Sequence, residues 1–308
     1  MTKIISIMNY KGGVGKTTLT SNISAELAYR GNKVLMIDLD PQSSLTFSFV
    51  TPDDWKTSLS ESRTIKNWFV EEEKDAPEFR TLIVAPQRVN QILKEKDGGT
   101  LHLLASHLDL INVDMDLAAM IQGNSRKQQR KSFFKVYARL KKGIETLGCK
   151  YDYIIIDCPP NFNIVTKNAI IASEHVLVPA KPDYLSTLGI TYLERNLEEL
   201  ISEYNYFVEQ PTDGDDKYDK IRPEILGVVF TMVQYYGELP IGVQRQYIRE
   251  VYRSGVPTFK SYMRENKTIF AEAPQYLVPV VMDKRGGRRD IVQEMEDIVT
   301  ELIDRTNE

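Results

Sequence analysis

Lys11-Gly12-Gly13-Val14-Gly15-Lys16-Thr17-Thr18 is the stretch whose residue types and spacing could handle a polyphosphate. Glycines let backbone N–H groups turn inward around phosphates, and a helix starting just beyond them adds partial positive charge. A lysine placed like Lys16 can reach β- and γ-phosphates, and a hydroxyl placed like Thr17 can ligand Mg²⁺. The usual spacing G-x-x-x-x-G-K-[ST] would put its first glycine at Tyr10. That glycine is missing, and Lys11 stands at the head of the loop instead. The plainer alternative is an ordinary glycine-rich turn.

Three carboxylates could work with this loop. Asp157 follows Ile154-Ile155-Ile156, which places it at the C-terminal end of a buried strand, the edge where open α/β sheets bind ligands. A carboxylate there can hold Mg²⁺ through its water shell, or simply cap the next turn. Asp38 and Asp40 alternate at the end of Val34-Leu35-Met36-Ile37, so both can reach the same edge. Hydrolysis needs a group that positions water in line with the β–γ bond, and from the residues alone either aspartate could do it.

The elements that must position these groups follow from the pattern. Ile4-Ile5-Ser6-Ile7-Met8 reads as a strand before the loop and Leu19 to Tyr29 as a helix after it. Apolar strands alternate with amphipathic helices along the chain. The expected fold is therefore α/β, a doubly wound, mostly parallel sheet with helices on both faces, forming one domain over residues 1–308. Thr51 to Asp75 reads as a short helical excursion, and Pro211 to Lys220 as a charged surface loop. The 308 residues, 42% apolar and 27% charged, fit an ordinary soluble protein. No apolar run is long enough to span a bilayer, and the N-terminus does not read as a signal peptide. Cys149 and Cys158 have no partner pattern, which points to a reducing cytoplasm.

The chain resembles the ParA/MinD family of deviant Walker ATPases, and within it the short Soj-like partition ATPases. The likeness rests on Lys11 at the family's signature-lysine position, on Asp38-Leu39-Asp40-Pro41-Gln42, and on Tyr151 to Pro160 as the Walker B strand. The resemblance implies ATP and Mg²⁺ as cofactors. It implies that Lys11 crosses a dimer interface to the partner's nucleotide, and that Lys11, Lys16 and Asp40 serve hydrolysis. Thr17, Asp38, Asp40 and Asp157 would surround the metal, and the loop from Lys11 to Thr18 would hold the phosphates. The family's strand-end pair is matched by Thr231 and Met232 after the apolar run from Ile225, placing them at the nucleotide. Met263-Arg264-Glu265-Asn266 stands where the family often has Pro-Arg-Asn; the proline is absent.

Formal net charge is −4, but the basic residues cluster. Arg126 to Lys142 carries eight cations and no acidic residue, with Phe133, Tyr137 and Leu140 at helical spacing, so one amphipathic helix with a basic outer face is expected. Arg245, Arg249 and Arg253 recur on one helix face, and Lys284, Arg285, Arg288 and Arg289 form a further group. Each could be a mere solvated face. The resemblance implies non-specific double-stranded DNA as a ligand and favours the later patches and Lys267. It also implies an ATP-dependent homodimer, a ParB-type centromere-binding partner that stimulates hydrolysis, and a cytoplasmic, nucleoid-associated place of action in plasmid or chromosome partition.

The competing function is a MinD-like spatial regulator, or a cargo-positioning ATPase on membrane or another large assembly. The final stretch has helical apolar spacing from Ile291 to Ile303, but its polar face carries Asp290, Glu294, Glu296, Asp297, Glu301 and Asp304. Anionic lipid would repel that face, so the helix is expected to pack on the domain, with no membrane partner. An iron-protein relative would need a cysteine pair that is missing. The chain also shows no room for an N-terminal operator-binding extension.

Overall fold

A computed structural model describes residues 1–70, 77–121, 123–211, 217–283 and 289–307. Its sheet strands are β1 Lys3–Ile7, β2 Lys33–Asp38, β3 Ile83–Val84, β4 Thr100–Leu104, β5 Tyr153–Asp157, β6 His175–Ala180 and β7 Glu224–Phe230. They form one seven-stranded sheet in the order β3-β4-β2-β5-β1-β6-β7. Every pairing is parallel except the antiparallel edge strand β3. Strands β8 Tyr235–Tyr236 and β9 Leu239–Pro240 make a separate hairpin.

Side-chain alternation explains why both faces are covered. Val34 and Met36 enter one core cluster, while Leu35 and Ile37 enter the other; Ile155 opposes Ile154 and Ile156 in the same way. A strand apolar on both faces is stable only between two helix layers. One layer contains α1 Lys16–Tyr29, α5 Gln87–Glu95 and α13 Arg289–Asn307. The other is built from α4 Ile65–Val70, α6 Leu110–Ala119, α7 Arg126–Tyr137, α8 Arg139–Glu145, α9 Ile164–Ala172 and α10 Tyr184–Glu209. The short helices α2 Ser44–Phe47 and α3 Pro52–Ser58 follow β2, and α11 Gly242–Ser254 and α12 Lys267–Glu272 follow the hairpin. The expected doubly wound architecture is present.

The final helix packs as expected. α13 buries Ile291, Met295, Ile298, Val299 and Leu302. Arg305 is part of that attachment: it donates to the carbonyls of Leu226 and Thr258 and lies over the Phe259 ring. Among the described residues no helix is long and apolar enough to cross a membrane.

The basic stretch differs from expectation. It breaks at Ala138 into α7 and α8, and two of its cations point inward. Arg130 is buried, donates to the Phe207 carbonyl and stacks over Phe134; Arg139 is buried and donates to the Trp68 carbonyl. These arginines donate to carbonyls in the last turns of α10 and α4, a role invisible in a charge count. The Thr51 to Asp75 excursion is helical as far as α3 and α4, its last residues lying outside the described ones, as do residues 212–216 of the expected surface loop.

Candidate nucleotide site

The parallel register brings the carboxylates together. Ile7 of β1 and Asp38 of β2 both pair with Asp157 of β5, so the ends of three neighbouring strands meet beneath the loop that leads into α1. Gly13 and Gly15 have φ of +68° and +81°, which L side chains rarely adopt. A Cβ on Gly15 would also come within 3.0 Å of the Met263 methyl, while around Gly12 and Gly13 the space is open. No side chain caps the start of α1, so its first amides point outward without a side-chain acceptor.

This loop forms one wall of a cavity of about 490 Å³. Gly12, Gly13, Gly15, Lys16, Thr17 and Thr18 line it together with Asp40 and Gln42 and with the apolar Met232, Phe270, Pro274, Val278 and Val280. A lining that combines loop amides with apolar side chains suits a nucleotide's phosphates and base.

Lys16 is buried, and its ammonium donates to the carbonyls of Asn9 and Lys11. Burial lowers its pKa, opposed by the charges of Asp157 and Asp40. Asp157 accepts from the Thr17 hydroxyl at 2.7 Å and from Thr20 at 3.1 Å. Thr17 with Asp157 behind it is a donor set suited to Mg²⁺ held through water. Asp40 faces the cavity and accepts from the Gln42 amide.

Other expected site residues lie elsewhere. Asp38 is fully buried; one oxygen accepts from the Asp40 amide, the other from the Thr46 amide and hydroxyl. It therefore serves the turn after β2 and does not line the cavity. Val14 of the loop and Thr231 are both fully buried and do not line the cavity, the Thr231 hydroxyl donating to the Val14 carbonyl at 2.7 Å. Met232, at φ +53°, does reach the cavity. Lys11 turns away: its ammonium pairs with Asp183, the N-cap of α10, at 2.7 Å.

Sequence reasoning missed Asp183 and the apolar wall from Phe270 to Val280. The run Leu277-Val278-Pro279-Val280-Val281-Met282 was its one visible signal, an apolar stretch carrying a proline and so unsuited to a sheet interior. Asn22 of α1 fixes this wall by accepting from the Val281 amide.

Burial raises Asp38 to about 8, helped by the charge of Asp157 and opposed by the bonds from Thr46. Burial likewise raises Asp157 to about 7, against the hydrogen bonds from Thr17 and Thr20. The folded protein thus holds protons that the unfolded chain releases near pH 4. The contribution of these two groups to the stability of the ligand-free protein should be fully present below that pH and be lost as pH rises through 7 to 8. Each proton contributes at most ~1.4 kcal/mol per pH unit. Thermal unfolding of the protein and of Asp157→Asn across this range checks it; Asp157→Asn should flatten the slope.

The AAA-domain family AAA_31 matches residues 2–210, more than half of the chain. The chain belongs to that family. It is 29% identical over 283 residues to the sporulation initiation inhibitor protein Soj of Bacillus subtilis, covering 92% of this chain and 91% of Soj. To the chromosome partitioning protein ParA of Caulobacter vibrioides it is 27% identical over 307 residues, covering 98% and 96%. The relatives place it among the ParA/MinD-family Walker ATPases, as its motifs led us to expect. Apo McdA from Cyanothece has the same fold, with TM-score 0.73 at 20% identity, covering 98% of this chain and all of that one. A point variant of McdA has been solved with ATP, with TM-score 0.70 at 21% identity, covering 98% of this chain and 96% of that one.

Proposed function

We propose that this ParA-type ATPase hydrolyses ATP with Mg²⁺, dimerises on ATP, and binds duplex DNA without sequence preference to partition a plasmid or chromosome. A centromere-binding partner would stimulate hydrolysis. The observation that carries the reading is the convergence of Lys16, Thr17 and Asp40 on one cavity, with Asp157 bonded to Thr17 beneath it. ATP bound to McdA supports the same ligand here.

In this reading Mg²⁺ neutralises phosphate charge when bound. Lys16 and the loop amides orient the phosphates, Thr17 and Asp157 hold the metal side, and Asp40 orients the attacking water. Dimerisation would bury the N-terminal face of α10, where Tyr184, Leu185, Leu188 and Tyr192 are 52–65% exposed beside the Lys11–Asp183 pair. Such an apolar patch asks for a partner.

Of the cations proposed to meet DNA, all those described except Arg245 are exposed. Arg249 and Arg253 lie on the open face of α11, Arg245 is half-buried, and Arg289 is exposed at the start of α13. Lys267 is 88% exposed beside Glu265. Lys284, Arg285 and Arg288 lie outside the described residues. A bridge between Val233 and Arg264 brings the segments carrying α11 and Lys267 to one edge.

Binding to duplex DNA of arbitrary sequence, with ATP, ADP or no nucleotide, tests the reading. Binding is expected only with ATP, weakening ~100-fold between about 50 and 200 mM salt if about four phosphates are neutralised. Absence of binding in every nucleotide state would end the DNA reading and turn attention to lipid vesicles and protein assemblies.

A further inference from the structure

A closed ring of hydrogen bonds holds the turn that carries Asp40. The Asp40 amide donates to one Asp38 oxygen at 3.1 Å, and the Thr46 hydroxyl donates to the other at 2.7 Å. The Ser106 amide donates to the Thr46 hydroxyl at 2.9 Å, and the Ser106 hydroxyl donates to the Asp40 carbonyl at 2.7 Å, which completes the circuit. Ser106 is fully buried just past the end of β4, the strand adjacent to β2. Its carbonyl accepts from the Trp55 indole at 3.1 Å, and Trp55 packs edge-on against Phe47 of α2. All three polar groups of one serine are thus spent on the segment from Asp40 to Trp55.

We infer that Ser106 is a positioning residue for Asp40, and that Trp55 latches it from outside. The inference rests on the reading of Asp40 as the water-orienting group. Asp38 alone fixes only the amide side of Asp40. The carbonyl side is held by the Ser43 amide, which lies within the same turn, and by Ser106, which lies just past the end of β4. Among the described residues, only the bond from Ser106 ties that side of the turn to the segment leaving β4. An orienting carboxylate works when its carrier does not drift, because misplacement by about 1 Å can cost ~100-fold in rate. Neither Ser106 nor Trp55 lines the cavity, so nucleotide affinity should not depend on them.

Ser106→Ala removes the hydroxyl but leaves the Asp40 carbonyl its Ser43 partner, so no acceptor is orphaned and the fold should persist. Two readouts decide. Amide exchange of the ligand-free protein over residues 40–47 should rise ~10-fold in Ser106→Ala and less in Trp55→Phe. Phosphate release from pre-bound Mg²⁺-ATP should slow ~10-fold or more, with ATP affinity within about twofold of the parent. Ser106→Thr, which keeps the hydroxyl, should restore both. Unchanged exchange, or raised exchange with undiminished turnover, would overturn the inference. If the parent itself does not hydrolyse ATP, the ATPase reading fails and the positioning claim with it, while raised exchange in Ser106→Ala would still identify Ser106 as the turn's anchor and tell the two failures apart.

Discussion

Asp40→Ala should bind ATP as the parent does and hydrolyse it ~100-fold more slowly or worse, about 3 kcal/mol of lost transition-state stabilisation. Affinity should survive because the substitution touches none of the groups placed to grip phosphates and metal. Lys16 keeps its bonds to the Asn9 and Lys11 carbonyls, and Asp157 keeps Thr17. What disappears is, among the described residues, the one acidic side chain that lines the cavity. Its amide, carbonyl and one carboxylate oxygen are all engaged by neighbours, which fixes the direction of the carboxylate before any substrate arrives. Such preorganisation is what a water-orienting group needs. Nucleotide affinity by calorimetry and single-turnover phosphate release, run side by side, check the separation. Turnover near the parent's rate would mean that another group orients the water.

Lys11→Ala should retain ATP binding as a monomer and lose ATP-dependent dimerisation and DNA binding. The lysine heads the loop but does not line the cavity; its ammonium pairs with Asp183. Both partners of that pair are about a third exposed, at 32% and 40%. An ion pair so open to water contributes roughly 0–1 kcal/mol, so exchanging Asp183 for a phosphate across an interface costs little. Asp183 is nonetheless held below the usual carboxylate range: burial would raise it, but the bonds from Lys11 and Ser186 win. It stays ionised at neutral pH, so Lys11 keeps a charged partner in the ligand-free protein. Light scattering and DNA binding with Mg²⁺-ATP check this, and an ATP-dependent dimer of Lys11→Ala would remove the lysine from the interface.

The loop proposed to hold phosphate was legible because it is local. A loop that turns around a polyphosphate does so within a few residues, so its glycine and lysine positions stand consecutively from Lys11 to Thr18. Asp157 was legible for a similar reason, as the polar stop after an apolar strand. Asp38 and Asp40 were not separable by sequence, since both lie at one strand end. Neighbours from β4 and α2 separate them: Thr46 buries and occupies Asp38, while Ser106 holds the backbone of Asp40 and leaves its carboxylate at the cavity. The basic run from Arg126 to Lys142 misled because formal charge does not say which cations a fold needs for its own carbonyls.

By itself the sequence determined the α/β alternation and pointed to the glycine loop and to strand-end aspartates as candidates, because each rests on spacing along one segment. The tertiary structure alone decided the pairing of Lys11 with Asp183, 172 residues away, and the wall from Phe270 to Val280 that lines the cavity with the loop. It also decided the ring through Ser106. Contacts between distant segments depend on strand order and register, which local propensity does not encode.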